Sequence, residues 1–206
     1  MLKTIILTIL VLLTTLSSAV CFGGLTDHPT VVVLPIENKS NVHHPVLDDK
    51  KNAQEFLIAE LAGTNCFDVI EPELLTLYAK ERQIKNDSLS GTAKIAKSLG
   101  INYIFTGYIS SFTASKVANA NQNNNAQRIY SDNSPDLLNV GLEVRVIDTG
   151  TEKTVLSLSS RSVTPGRLIN GEWSHIDVYD ALSNVVKDAV HGKNGLFAKI
   201  QNCKNN

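Results

Sequence analysis

Aromatic side chains make up only 6% of this 206-residue chain, and there is a single tryptophan. A carbohydrate-binding or base-stacking platform would have little to work with. Neither sign of charge is in excess, with 19 Lys and Arg against 20 Asp and Glu. That balance removes the electrostatic footprint of a nucleic-acid binder, and no block of like charges suits an anionic lipid surface. The apolar run Ile5 to Leu16 falls short of the ~20 residues that span a bilayer. A nucleophile elbow, a G-x-x-x-x-G-K phosphate loop and a paired-cysteine motif are all missing. Five histidines remain to be considered. His43 and His44 precede Asp48 and Asp49, but adjacent loop residues point apart and no histidine follows at helical i+4 spacing, so a solvated loop is expected, not a metal centre. His191, beside Gly192, reads as a helix C-terminal cap. No catalytic, cofactor-binding or metal-ligating residue is expected, and neither a cofactor nor a small-molecule substrate is implied.

The chain opens "MLKTIILTILVLLTTLSSAVCFGG". A lysine, an apolar core and small residues at Ser17 and Ala19 have the order of a signal peptide, expected over residues 1–24 with cleavage near 19–24. Ser18 and Val20 stand where lipoprotein processing at Cys21 would prefer leucine and a small residue. Ordinary cleavage and export are therefore expected, placing the protein in the periplasm or against the outer membrane.

Roughly 180 residues follow, enough for one domain with its own core. "TVVVLPIEN" (30–38) reads as a buried β-branched strand. Asp48 or Asp49 can cap the next helix, which Gly63 closes. "CFDVI" is a short strand, and Pro72 occupies the first position of a second helix. Ser90 can cap a third, stopped by Gly100. "INYIFTGYISSF" and "LLNVGLEVRVIDTG" alternate like half-buried strands, and Gly150 turns the latter into "EKTVLSLSSRSV" as a hairpin. Val178, Leu182, Val185, Val186, Ala189 and Val190 form the stripe of a closing helix. The order β-α-β-α-α-β-β-β-α predicts a single α/β domain over 30–192, a mixed β-sheet flanked by helices. Residues 193–206 form a tail anchored by Leu196 and Phe197.

Between the first two long strands lies an Asn-rich insertion, 115–136, containing "ANANQNNNAQ". A membrane-crossing hairpin needs strands of about 9–11 residues with an apolar face. Lys116, Arg128, Asp132, Pro135 and Asp136 break that pattern here, and Arg161, Pro165 and Arg167 break it in the second candidate region, so membrane insertion is not expected. A polar segment of this length either only connects its strands or orders on a partner. In the second case Phe112, Arg128, Tyr130 and Leu137 are the expected contacts.

Four pieces in order, "VVVLPIENKS", "FLIAELAGTNCFDVIEPELL", "AKIAKSLGINYIFTGYI" and "VGLEVRVIDTGTEKTV", resemble the CsgG-like family of bacterial envelope proteins. Phe67, Val69, Ile70 and Glu71 match its second motif, Leu99, Gly100, Tyr103, Ile104 and Gly107 its third, and Val144 to Asp148 its last. The resemblance covers about residues 30–160 and implies a non-catalytic periplasmic domain with an anticodon-binding-domain-like sheet. In the secretion type of this family each lipid-anchored subunit lends two hairpins to an outer-membrane barrel that exports curli subunits. LpoB-type relatives make no pore and act on protein partners. This sequence departs from the secretion type at the lipid signal and at both hairpin regions. A binding or assembly factor acting on protein partners in the envelope is the leading expectation. A curli-type channel subunit and an enzyme with an unrecognised site are the alternatives, and the number of subunits is open. In an oxidising compartment Cys66 and Cys203 can form a disulfide; the other reading is a buried Cys66 thiol and a free tail.

Overall fold

The computed structural model describes residues 28–40, 48–84, 88–116, 136–169 and 172–200. β1 (Thr30–Val33) and the two-residue β2 (Glu37–Asn38) pair parallel with the same edge of β4 (Tyr103–Lys116). Pro35, which has no N–H to give a ladder, falls in the break between them. β3 (Asp68–Ile70) pairs parallel with β1, and β4 pairs antiparallel with β5 (Asp136–Asp148), which pairs antiparallel with β6 (Lys153–Gly166). The main sheet therefore runs β3-β1-β4-β5-β6, with β2 also on β4. A separate small ribbon joins β7 (Leu168–Ile169) to β8 (Glu172–Trp173).

Helices cover the two faces unequally. On one face lie α1 (Asp49–Gly63), α4 (His175–His191) and the short α5 (Leu196–Lys199), over a core that includes Val31, Phe105, Ile109, Leu142 and Val144. The predicted stripe of α4, joined by Ala181, is at most 2% exposed. Each fully buried valine or leucine in it contributes about 1.5–3 kcal/mol. On the opposite face α2 (Glu73–Glu81) and α3 (Leu89–Ser98) pack over Val32, Ile104 and Ile147. The expected α/β architecture is present, a mixed sheet with helices on both faces, and the observed order adds β2, β7, β8 and α5.

Helix starts follow local hydrogen-bond chemistry. Asp48 caps α1 by accepting from the Lys51 N–H at 3.2 Å. The third helix is capped by Ser88, not by Ser90 as the sequence suggests. Ser88 is extended and accepts from the Gly91 N–H at 3.1 Å, while the Ser90 hydroxyl donates to Glu152 at 2.6 Å. Pro72 sits one residue before α2. His191 does not act as a simple cap: its Nε2 lies 3.0 Å from Glu60 Oε2 of α1, and its ring stacks on Phe197. Gly192 ends the helix by donating to the Asp188 carbonyl at 2.8 Å.

The β5–β6 turn is organised by Asp148, whose Oδ1 accepts from the Thr151 N–H at 2.7 Å and from its hydroxyl at 2.9 Å. The left-handed residue of this turn is Glu152 (φ 57°), not Gly150. Buried Thr149 donates to the Ile101 carbonyl at 2.6 Å and ties the end of β5 to the start of β4. Tyr103 pairs with Asp148 across the ladder. Burial, and then the Asp148 carboxylate, push its phenol above the usual tyrosine pKa. A raised folded-state value means a contribution to stability that is whole below about pH 10 and is lost as the pH climbs toward the folded value. Asp148→Ala is expected to cost about 1 kcal/mol in urea unfolding, because two turn hydrogen bonds go. Asp148→Asn should keep the turn while letting Tyr103 ionise at lower pH in a phenolate absorbance titration. Equal stability of the two variants would refute this account of the turn.

Candidate functional site

Strand alternation sorts the long antiparallel strands into two faces. Phe105, Ile109 and Phe112 of β4, Val140, Leu142 and Val144 of β5, and Leu158 of β6 point to the core under α1 and α4. The outward row carries Tyr108, Thr113 and Ser115 on β4, Asn139, Glu143 and Arg145 on β5, and Ser159, Arg161 and Val163 on β6. Helices α2 and α3 reach Ile104 and Ile147. Beyond that row the outward residues of the three strands are mostly exposed or half-buried.

This open face is polar in its middle and apolar toward the insertion. Lys39 lies 4.3 Å over the Tyr108 ring and 3.3 Å from Glu37. Asn139 donates to the Ser115 hydroxyl at 3.0 Å, linking β4 to β5 near their far ends. There Leu137 is half-buried and stands in register with Ser115 on one side and exposed Pro165 on the other. Val163, 52% exposed, lies one row away. These residues form a small apolar spot where β4 and β5 meet the insertion.

The expected contact residues divide accordingly. Leu137 is at the spot. Phe112 is not: it is 5% exposed and belongs to the core, because it faces the same side as Ile109, the two being separated by a bulge at Ser110. Arg128 and Tyr130 lie outside the described residues. Ser115, Lys116 and Asp136, taken from the sequence as part of the insertion, are in the strands, with Lys116 opposite Asp136, so the connection itself runs from 117 to 135. Val163 and Pro165 were legible as apolar residues at the outward positions of an otherwise polar "SRSVTPG" strand.

The second region that might have formed a membrane hairpin is built into the fold. Arg161 pairs with Gly141 and Pro165 with Leu137. β7 and β8 have two residues each. The Arg167 N–H donates to Asp177 of α4 at 2.7 Å, and the Ser174 N–H to the Arg167 carbonyl at 3.1 Å. Among the described residues no helix is long and apolar enough to cross a membrane, and no group of three or more His, Cys, Asp or Glu could hold a metal ion. Asp48 is spent as a helix cap, and Asp49 accepts from the Asn38 amide at 3.3 Å. His43 and His44 lie outside the described residues. Cys66 is buried and unbridged among them, and Cys203 lies outside.

The family described as curli production assembly/transport component CsgG matches the chain over residues 14–171. Among solved structures, the hypothetical protein CT253 from Chlamydia trachomatis superposes with a TM-score of 0.52 at 10% identity, covering 78% of this chain and 92% of that one. The LpoB C-terminal domain from Salmonella enterica gives 0.47 at 17% identity, with 68% and 85% covered. The PelC dodecamer from Paraburkholderia phytofirmans gives 0.45 at 13%, with 87% and 93% covered. No curated protein matches. At these identities the likeness to CT253 speaks to the fold alone.

Proposed function

This chain belongs to the CsgG family, and on that premise we propose that it is an exported, non-catalytic envelope protein that works as a binding or assembly factor. Its partner is a protein of the envelope, held by the open sheet face around Leu137, Val163 and Pro165 together with the connection 117–135. The observation that carries this reading is the use of Arg161 to Gly166 as ladder partners of β5, followed by two strands of two residues each. A transmembrane strand needs about 9–11 residues, and β7 and β8 fall well short of that, which supports a binding role over a channel. A channel subunit is the rival reading, favoured by membership of a family of curli assembly/transport components.

Replacing residues 118–134 by a short Gly-Ser link is expected to leave the thermal midpoint nearly unchanged, because β4 and β5 stay paired out to Lys116 and Asp136. Cross-linking in intact envelopes should capture a protein partner with the parent chain and much less of it with the shortened one. Fractionation should place the parent in the periplasmic extract. Equal capture by the shortened chain would reduce the insertion to a connector. Recovery in detergent alone, with conductance in planar bilayers, would turn the assignment to the channel.

A further inference from the structure

β6 is the end strand of the sheet, and among the described residues no strand pairs with its outer edge. A recess of about 250 Å³ lies along that edge, lined on one side by Leu158, Ser159, Ser160 and Arg161 and on the other by Asp188 and the turn at Lys193. Neighbouring strand residues point to opposite faces, so four consecutive residues can line one recess only where the strand presents its edge. We propose that this edge is a strand-addition groove that takes an extended acidic segment of a partner protein. It is distinct from the open face around Leu137, and its failure would leave that surface untouched.

Three features of the edge support the assignment. The only proline of β6, Pro165, comes at its far end, so the stretch beside the recess keeps its backbone donors. Edge strands with free donors and acceptors are templates for added strands. Arg161 is exposed on the outward face, while Lys193 is exposed beside α4 on the other. Asp188, the one carboxylate among the described residues that line the recess, accepts from the Ser160 hydroxyl at 2.5 Å and keeps its charge, so two cations stand there against one anion. An added strand alternates its side chains between the two faces, so two consecutive acidic residues would meet Arg161 and Lys193 respectively. A second copy of this chain suits the groove poorly, because edge-to-edge pairing at this point would set Arg161 against its own copy, and like charges directly opposite destabilise a sheet.

The probe is a fluorescent Thr/Val peptide of about eight residues, a common strand length, with a central Glu-Glu pair, titrated against the full mature protein by anisotropy. Saturable binding is expected. A Lys-Lys peptide, or a Glu-Glu peptide N-methylated at alternate backbone nitrogens, should bind about tenfold or more weakly. The double variant Arg161→Glu, Lys193→Glu, at two exposed positions, should reverse the preference between the Glu-Glu and Lys-Lys peptides. Absence of saturable binding, indifference to N-methylation or equal binding of the two peptides would overturn the proposal. So would a concentration-dependent dimer that competes with the peptide, which would give the groove to a second copy.

Discussion

Gly107→Ala is expected to be among the most damaging single-methyl changes this chain can suffer, costing about 3 kcal/mol or preventing soluble expression. Gly107 lies in the middle of β4, opposite Val144, with β5 drawn close. A Cβ built there runs into the Glu143 carbonyl oxygen and comes within 3.2 Å of the Val144 Cα. The obstacle is backbone in the central antiparallel pair, so relief requires β4 and β5 to separate. Overpacking of a side-chain contact costs about 1–3 kcal/mol, and a shifted ladder belongs at the upper end of that range. Two other glycines calibrate the claim. At Gly141 a Cβ would meet the hydroxyls of Ser111 and Ser110 at 2.5 and 2.6 Å, groups that can rotate aside, so Gly141→Ala should cost less. At Gly63, the last residue of α1, nothing lies within 4 Å, and alanine there should stabilise by up to about 1 kcal/mol. Urea unfolding of the three variants should rank them in that order. A Gly107→Ala protein as stable as its parent would show that β4 and β5 can part at no cost, and the account of this glycine would fail.

Gly107 also marks how far sequence reasoning reached. As a family motif residue it was visible, but a glycine inside an alternating strand is equally consistent with a bulge, a bend or a close approach. Only the ladder identifies the third. The bulge of β4 lies elsewhere, at Ser110, where register with β5 shifts. That shift is why Phe112 falls on the core face with Ile109, three residues away, and so leaves the binding surface. Simple alternation cannot foresee it, because one extra residue exchanges every face beyond it. The large elements were legible because their burial imposes a period, as with the stripe from Val178 to Val190. β7 and β8 were not, since two residues carry no period, and β2 was read as the end of one strand over 30–38. The start of α3 was misplaced by two residues because Ser88 and Ser90 are chemically equal candidates. Glu152 as hydrogen-bond partner of Ser90 is a long-range fact that no local rule contains.

A bond between Cys66 and Cys203 is the second large effect expected, and the packing of the tail favours it. Cys66 is buried just beyond the end of α1. At the same end of the molecule His191 contacts Glu60 of α1 and stacks on Phe197. Leu196 and Ile200, each 1% exposed, share a hydrophobic cluster with Cys66. The chain is thus held at Ile200, three residues before Cys203, and three extended residues reach about 10 Å. A disulfide requires Cα atoms about 5.5–6 Å apart, so the bridge needs Cys203 to fold back over the cluster that Ile200 and Cys66 share. With a signal peptide cleaved beyond Cys21, these two are the cysteines that remain, in a compartment that oxidises them. Closing so long a loop contributes about 2–4 kcal/mol, chiefly by restricting the unfolded chain. Protein prepared from the periplasm should therefore weigh two hydrogens less before reduction than after it, and reductant should lower its unfolding free energy by that amount. Cys203→Ser should lose the same stability without further sensitivity to reductant. Cys203 is the better probe, because Cys66→Ser would add the cost of a buried hydroxyl. Two free thiols in periplasmic protein would refute the bridge and leave Cys66 as a small core residue beneath an uncrosslinked tail.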